Sequence, residues 1–297
     1  SQACIVGIRS FAYFGGRDAG VYRKHGIDLE IDARPFKGFA ASLPAKECMV
    51  ATYMGTAAIA RINKGLDWVI IGGGLTVMQE VFVRNASPFK TISDLRGKKF
   101  ASWSTGAGAF KATRAAIMDG FGIDVLKDTD FVQAAAPALF KLLERGNVDS
   151  MFNISSLTVA AAAQPDKYRS IFSPNDYWKK KTGHPIVWSA PIVAWRSWVD
   201  EDRDRAKRFV KATHESFKRL RNGANLDDAV KKFGKLAAVK NQAQANVYKK
   251  WLGQKRVFLA EWNQEVIDSQ WKFLEMAAKR GVLKGVPSSK KVALILE

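Results

Sequence analysis

The sequence contains few of the residues from which metal sites and disulfide scaffolds are built. Two cysteines, Cys4 and Cys48, occur among 297 residues, and the three histidines, His25, His184 and His214, lie far apart. None of them has the spacing of a metal site, and two cysteines are too few for the disulfide framework of a small secreted domain. The sequence therefore predicts no bound metal and a fold held together mainly by an apolar core.

Long hydrophobic runs are missing as well. The longest comparable stretch is WVIIGGGL at 68–75, whereas a membrane-spanning helix needs about 20 apolar residues. We therefore expect no segment to cross a bilayer, and the 47% apolar composition is enough for one large or two medium domains. No basic-then-apolar leader opens the chain, which fits a cytosolic protein or an exported one whose leader has been removed.

Catalytic signatures are also lacking. The glycine-containing stretches GIRSFAYFGG, STGAGAFKAT and IIGGGLT match neither GxGxxG after a strand nor GxxxxGK[ST], and no GxSxG elbow, carboxylate pair or general-base histidine stands out. This pattern disfavours a phosphate-cradling loop of the NTPase kind. We predict a protein that binds a ligand without a cofactor, rather than an enzyme.

Acidic residues are scarce relative to basic ones, which gives a net charge of +19. Residues 203–256 hold sixteen Lys and Arg against four Asp and Glu, and the apolar residues of DRAKRFVKATHESFKRLR follow a 3/4 spacing that leaves the charge on one helix face. This face is either simply solvated or attracts anions or a membrane surface. Because Phe209 and Phe217 fall on the apolar side, we predict no nucleic-acid partner.

Strand and helix patterns alternate along the chain. Short strand-like stretches occur at ACIVGI, IDLEIDA, CMVATYMG and DWVIIGGGL, and the alternation restarts at residue 97 with KKFASW, TDFVQA and VDSMFN. The last hundred residues are almost wholly helical in pattern. This predicts an α/β fold of two doubly wound lobes joined by a two-crossing hinge, with a helical C-terminal annex. We assign residues 1–83 plus 196–297 to lobe 1, and residues 84–195, with the hinge segments, to lobe 2.

Three predicted strand-to-helix corners face the cleft between these lobes, where open α/β sheets bind ligands. They are RSFAYFGG, YMGTAA and SWSTGAGAF, and backbone N–H groups at the helix that follows each corner favour an anion. In the third corner Ser104 and Thr105 are the best N-cap candidates, and Gly106 and Gly108 allow the main chain to approach closely. The alternative for each corner is an ordinary helix cap that binds nothing.

Large side chains surround these corners, and for each of them packing in the core is the alternative to lining a pocket. Tyr13, Trp103 and Trp188 are the favoured pocket walls, because they stand beside polar residues and their polar atoms need a partner. Aromatic walls with converging N–H donors suit a small organic anion. The other large side chains of the set are Phe11, Phe14, Met54 and Phe152.

Five stretches resemble, in chain order, the solute-binding proteins of ABC importers, in the branch that binds nitrate, sulfonates, taurine and thiamine precursors. They are GVYRKHGIDLEI, GTAAIARINKG, TISDLRGKKFASWSTGAGAF, LLERGNVDSMF and SAPIVAWRSWVDED. The resemblance implies a bilobed type II periplasmic-binding-protein fold, export to the periplasm and a membrane permease as partner. Combined with the corner and aromatic arguments, it indicates this ligand-binding set: Ser10, Phe11, Tyr13, Met54, Gly55, Thr56, Trp103, Ser104, Thr105, Gly106, Phe152, Asn153 and Trp188.

We therefore predict the substrate-binding component of an ABC importer, a monomer that captures a small organic anion by hinge closure. Sulfonates and carboxylates, including aromatic ones, are the expected ligands. The alternatives are a vitamin-type heterocycle, such as a pyrimidine precursor or a flavin, as the ligand, or an enzyme acting on such a heterocycle. The enzyme is disfavoured because the related thiamine-pyrimidine synthases use a cysteine-rich run and an active-site histidine that this chain lacks.

If the chain is exported, as the resemblance implies, its two cysteines gain a role. Cys4 and Cys48 begin the first and third predicted strands, which are neighbours in a 2-1-3 sheet order, and an oxidising compartment permits a bond between them. Strain in a bridge between adjacent in-register strands argues for two free thiols instead. Both alternatives stay open at the level of sequence.

Overall fold

The structure, a computed structural model, describes residues 1–184, 187–253 and 257–296. Its strands follow the alternation expected from the sequence. In chain order they are β1 (Gln2–Ile5), β2 (Glu30–Ala33), β3 (Val50–Thr52), β4 (Trp68–Thr76), β5 (Val81–Arg84), β6 (Lys99–Ser102), β7 (Asp130–Gln133), β8 (Ser150–Phe152), β9 (Tyr168–Phe172), β10 (Trp188–Trp195) and β11 (Phe258–Leu259).

Helices connect most of these strands and form nearly all of the C-terminal annex. In chain order they are α1 (Arg9–Asp18), α2 (Val21–Lys24), α3 (Phe36–Ser42), α4 (Gly55–Ile62), α5 (Gly108–Phe121), α6 (Ala136–Arg145), α7 (Ser155–Ala162), α8 (Pro174–Thr182), α9 (Arg196–Glu201), α10 (Arg203–Arg221), α11 (Leu226–Phe233), α12 (Gln242–Gly253), α13 (Gln264–Lys279) and α14 (Ser289–Val292). The end of the extended segment predicted at PIVWSAPIVAWRSWV is helical, because α9 begins directly after β10.

The strands of the described residues form two sheets. The first has the order β2-β1-β3-β10-β4-β11 and the second β7-β6-β8-β5-β9. β1, β2 and β3 run parallel, as do β6, β7 and β8, whereas β10 and β5 run antiparallel to their neighbours. The predicted α/β class is confirmed, but both sheets are mixed. The chain reaches β5 from the first sheet and β10 from the second sheet, and neither strand follows a strand-helix-strand crossover within one sheet. The rule that such crossovers join parallel strands therefore does not apply to β5 and β10.

Sheet membership differs in detail from the predicted lobe boundaries. β5 begins at Val81 and pairs in the second sheet, while residues 188–195 form β10 of the first sheet. α13 packs against both units, since Val266 and Leu274 join the first-sheet core and Phe273 joins the second-sheet core. The division into two lobes that move against each other stays a prediction.

Two predictions of burial are confirmed. Every residue of β4 is buried, as expected of an apolar run covered on both faces. On α10, Phe209 and Phe217 are buried with the rest of the apolar stripe, and none of the Lys and Arg residues of this helix is buried. Residues 254–256 of the predicted basic region lie outside the described residues. Among the described helices, none is long and apolar enough to cross a bilayer.

Cys4 and Cys48 form a disulfide bond, with their Cα atoms 6.0 Å apart. Cys4 lies opposite Ala51 in the β1–β3 register, whereas Cys48 lies in the segment before β3. The bond therefore does not join directly opposed residues, which is the geometry that argues against it. The Asp32 carboxylate and the two sulfurs lie within 4.8 Å of one another. Sulfurs bonded to each other offer no thiolate to a metal.

Asp119 links α5, α8 and the end of α13 through three donors. Tyr177 and Lys181 of α8 donate to one carboxylate oxygen, and Arg280 donates to the other at 3.0 Å. Burial acts to raise the pKa of Asp119, but the hydrogen bonds from Lys181, Tyr177 and Arg280 outweigh it and hold this pKa at about 2. Because the folded state binds the proton less tightly than the unfolded chain, the carboxylate stabilises the fold above about pH 4.

We predict that Asp119→Asn lowers the free energy of unfolding by about 2 kcal/mol at pH 7, from about 1.4 kcal/mol per unit of pKa. The difference from wild type should shrink as the pH falls from 4 toward 2, because the wild-type carboxylate then becomes protonated. Urea unfolding across this pH range measures both effects. Asp204→Asn is the control, since Asp204 is 76% exposed in its pair with Arg208 and such surface pairs contribute less than about 1 kcal/mol. A loss that does not depend on pH would contradict the prediction.

Candidate functional site

The starts of α4 and α5 meet beside β10, which brings two of the predicted corners together. A Cβ atom placed on Gly108 of α5 would lie 3.2 Å from Thr56 Oγ1 of α4 and 3.7 Å from the Ser189 carbonyl oxygen of β10. A Cβ atom on Gly55 of α4 would lie 3.1 Å from Pro191 Cδ of β10. We call Gly55, Thr56, Gly108 and Ser189 the α4–α5 corner. It lies past the carboxyl ends of β3 and β6, at the edge where open α/β sheets bind ligands.

The start of α5 differs from its prediction. The helix begins at Gly108 with Ala107 as N-cap, so the prediction of Ser104 or Thr105 as N-cap is wrong. Ser104 Oγ instead accepts a hydrogen bond from the Gly106 N–H at 3.2 Å and closes a turn before the helix. Within the described residues, no side chain caps α5. Its first-turn N–H groups therefore remain open to a partner from outside the chain.

Most helices of the described structure start without a side-chain cap. This holds for α1, α4, α5 and α7, which follow the central parallel strands β1, β3, β6 and β8, and equally for α2, α3, α6, α9, α11 and α14. Three other helices have such caps. These are α8, α10 and α13, capped by Ser173, Asp202 and Asn263. Open N–H groups and the positive ends of the helix dipoles make the α4–α5 corner favourable for an anion.

Three buried hydroxyl groups at this edge have no hydrogen-bond partner in the described part of the chain. They are Ser10 Oγ on α1, Thr56 Oγ1 on α4 and Ser102 Oγ at the end of β6. Buried hydroxyls are nearly always hydrogen-bonded in folded proteins. Thr56 and Ser102 lie next to the starts of α4 and α5, which suits their hydroxyl groups to donate to the oxygens of a bound anion.

Phe11 and Tyr13 are fully buried in the core of the first sheet. The Phe11 ring meets Tyr248 edge-on at 5.4 Å. The Tyr13 hydroxyl lies 2.7 Å from Thr52 Oγ1, its ring stacks on Tyr22, and burial raises its pKa to about 12. The structure thus gives both rings a packing role, and contact with a solute stays a prediction for them.

The three other aromatic candidates fall into two environments. Trp103 is half-buried and stacks on the fully buried Phe152, with ring centroids 5.5 Å apart. Trp188 is buried against Trp262 and Trp271, at 5.3 and 5.8 Å. Its Nε1 atom has no partner among the described residues. Trp103 therefore has the more accessible ring and remains the best candidate for a pocket wall.

Asn153 is occupied by contacts within the second sheet unit. Its Nδ2 donates to the Ala136 carbonyl oxygen at 2.9 Å, and its Oδ1 accepts from the Ile154 N–H at 2.8 Å. The amide thus ties together the starts of α6 and α7. Met54 and Thr105 are half-buried beside the α4–α5 corner. Solute contacts for these three residues stay predictions.

Gln79 is a further polar residue that the sequence analysis missed. It lies at the crossing from β4 to β5, where its Nε2 donates to Ser155 Oγ of α7 at 3.2 Å. Its Oε1 is buried and lacks a partner in the described structure. The signal in the sequence is a polar pair, Gln79 and Glu80, between the mainly apolar stretches WVIIGGGLTVM and VFV.

Residues 9–223 match a family model described as NMT1/THI5 like, which covers more than half of the chain. The chain belongs to the NMT1/THI5-like family. No curated protein sequence matches it.

This NMT1/THI5-like chain is similar to several solved structures. The periplasmic aliphatic sulphonate binding protein SsuA from Escherichia coli has a TM-score of 0.76 at 14% identity, over 98% of this chain and 90% of that one. The alkanesulfonate-binding protein SsuA from Xanthomonas axonopodis pv. citri, bound to MOPS, has a TM-score of 0.73 at 12% identity, over 99% and 97%. The desulfurization enzyme DszB has a TM-score of 0.64 at 12% identity, over 99% and 96%. At these identities the likeness shows the fold, and the predicted periplasmic-binding-protein fold is confirmed.

Proposed function

We propose that this NMT1/THI5-like protein is the solute-binding component of an ABC importer. It captures a small organic anion, a sulfonate or a carboxylate, between its two sheet units and delivers it to a membrane permease. The family match and the shared fold support this proposal, because both SsuA structures are described as sulfonate-binding proteins. Such a role places the protein in the periplasm.

The α4–α5 corner is the observation that carries the proposal. Two helix starts without side-chain caps converge beside the Thr56 hydroxyl, which has no partner among the described residues. Backbone N–H groups, helix dipoles and a hydroxyl donor together recognise oxygens that carry negative charge. The half-buried ring of Trp103 offers an apolar surface to the body of the solute.

Thermal unfolding against a ligand panel tests the proposal. The panel contains butanesulfonate, MOPS, benzoate, nitrate, a pyrimidine, a flavin and short DNA. A ligand at about a hundred times its dissociation constant adds about 2.7 kcal/mol to stability, which raises the midpoint by several degrees. A shift with one class of small anion supports the solute receptor. A shift with DNA alone would overturn it and transfer the function to the basic face of α10.

We predict that Thr56→Val weakens binding of the anion by about 1–3 kcal/mol, because it removes a hydrogen bond to a charged group at nearly constant volume. Titration calorimetry with the ligand found in the panel measures the change. Thr129→Val is the matched control, since its hydroxyl bonds the Val125 carbonyl oxygen beside the amino end of β7, at the opposite sheet edge. Unchanged affinity in Thr56→Val would show that the anion binds elsewhere.

An enzyme is the second candidate, because the desulfurization enzyme DszB has the same fold. The enzyme and the two binding proteins share this fold, so turnover of the ligand decides between the two functions. Mass spectrometry of the ligand recovered after prolonged incubation distinguishes the two. An unchanged molecule supports the receptor, and a converted one supports the enzyme.

A further inference from the structure

Arg9 is a buried cation at the carboxyl ends of the central strands of the first sheet. It is the first residue of α1 and is 8% exposed. Its Nε donates to the Thr52 carbonyl oxygen at 2.7 Å, at the end of β3, and its Nη1 donates to the Val6 carbonyl oxygen at 3.3 Å, just after β1. The guanidinium lies over the Phe39 ring, 4.9 Å from the centroid. Thr52 is two residues before Met54, so the charge lies beside the start of α4.

The charge of Arg9 has no counter-charge in the part of the chain that the structure describes. Both of its hydrogen bonds go to neutral carbonyl oxygens. Burial lowers the pKa of Arg9 to about 10, which still leaves it protonated at neutral pH. A buried charge is costly to the fold unless it is paired and hydrogen-bonded. The protein therefore keeps a cation here at the expense of stability.

Part of the hydrogen-bonding capacity of Arg9 is unused. A guanidinium has five N–H donors, and one on Nε and one on Nη1 are occupied. Nη2 makes no hydrogen bond to the described residues. At the same edge, Ser10 Oγ and Thr56 Oγ1 are buried without partners in the described chain. Three side chains at one sheet edge thus have donors to spare.

We infer that Arg9 supplies the positive charge that binds the anionic head group of the solute. The inference rests on the proposed function and adds the residue that makes the receptor select for charge. Nη2 donates to an oxygen of the head group, and the helix starts contribute N–H groups from the other side. A structural tie between β1 and β3 accounts for the donors on Nε and Nη1, but it gives no role to the charge or to Nη2. The tie alone therefore does not explain the guanidinium.

Paired ligands that differ in charge test this assignment. Butanesulfonate is compared with butanesulfonamide, and benzoate with benzamide, on wild type, Arg9→Gln and Arg9→Lys. Arg61→Gln is the matched control, because Arg61 is also partly buried over aromatic rings but lies in the last turn of α4. In Arg9→Gln the dissociation constant of the bound anion should rise about 10–100-fold, the value of hydrogen bonds to a charged group. The dissociation constant of the neutral partner should change less than about threefold, because its hydrogen bond to Arg9 involves no charge on the ligand.

Arg9→Lys keeps the charge but lacks the Nη2 donor, so it should retain the preference for the anion with a raised dissociation constant. Anion affinity equal to wild type in Arg9→Lys overturns the inference even where Arg9→Gln does not fold. An anion preference that persists in Arg9→Gln, or that is lost in Arg9→Lys and Arg61→Gln alike, overturns the inference while leaving the receptor intact. Wild type that binds neither anion nor neutral partner overturns the proposed function itself. Failure of the inference is therefore seen in the variants, whereas failure of the proposed function is seen in wild type.

Discussion

Gly74→Ala is expected to lower the free energy of unfolding by about 3 kcal/mol or more, at the upper end of overpacking effects. A Cβ atom at Gly74 would lie only 2.0 Å from the Ala190 carbonyl oxygen of β10. The clash is with backbone, so neither a rotamer change nor a flexible side-chain end relieves it. β4 lies between β10 and β11 in the first sheet, and the strands must separate to admit the methyl group. We therefore expect the pairing of β4 with β10 to be lost next to the β4–β5 crossing.

Urea unfolding of the variant measures this loss, and Gly15→Ala in α1 is the control. A Cβ atom at Gly15 would have no heavy atom within 4 Å outside its local helix. Alanine also has the higher helix propensity, by about 1 kcal/mol, so the control should be neutral or slightly stabilising. A Gly74→Ala protein within about 1 kcal/mol of wild type would show that β10 yields easily, contrary to the overpacking argument.

Removing the disulfide by the double change Cys4→Ala and Cys48→Ala is expected to cost about 2–4 kcal/mol of stability. The bond closes a loop with a sequence separation of 44 residues and restricts the unfolded chain accordingly. Both cysteines are buried, so alanine suits their surroundings and the loss comes mainly from the cross-link. Guanidinium unfolding of the two proteins, with and without dithiothreitol, measures it.

Reductant provides the internal control for this prediction. Dithiothreitol should destabilise wild type to about the level of the double variant and leave the variant unchanged. Thiol titration of the denatured, unreduced wild-type protein should detect no free thiol. Two free thiols in that titration would contradict the bond between Cys4 and Cys48.

The sequence alone predicted those features of the fold that depend on neighbouring residues. The continuous apolar run of β4 and the 3/4 apolar spacing of α10 are properties of neighbouring residues, and both predicted the observed burial. The order of strands and helices follows from the same periodicities. The three corners were recognisable because glycine and hydroxyl residues cluster directly after strand-like stretches.

Contacts between distant segments and the detailed backbone angles account for the parts that the sequence missed. The burial of Tyr13 and Trp188 depends on Phe217 and on Trp262 and Trp271, more than 70 residues further along the chain. The N-cap of α5 was misplaced by two to three residues, because the hydroxyl of Ser104 closes a turn instead of capping the helix. Whether a hydroxyl group caps a helix or closes a turn depends on the backbone angles, and the spacing of residue types does not specify these angles.

The sequence by itself determined the α/β class, the apolar faces of the elements and the stretches that resemble a family of solute-binding proteins, because all of these follow from residue types at short range. The tertiary structure alone decided which side chains meet at the α4–α5 corner, that β5 and β10 run antiparallel to their neighbours, and that the charge of Arg9 is buried without a counter-charge in the described chain. The physical reason is that burial and pairing are properties of the packed chain. A sequence shows where a charge is, and only the fold shows what surrounds it.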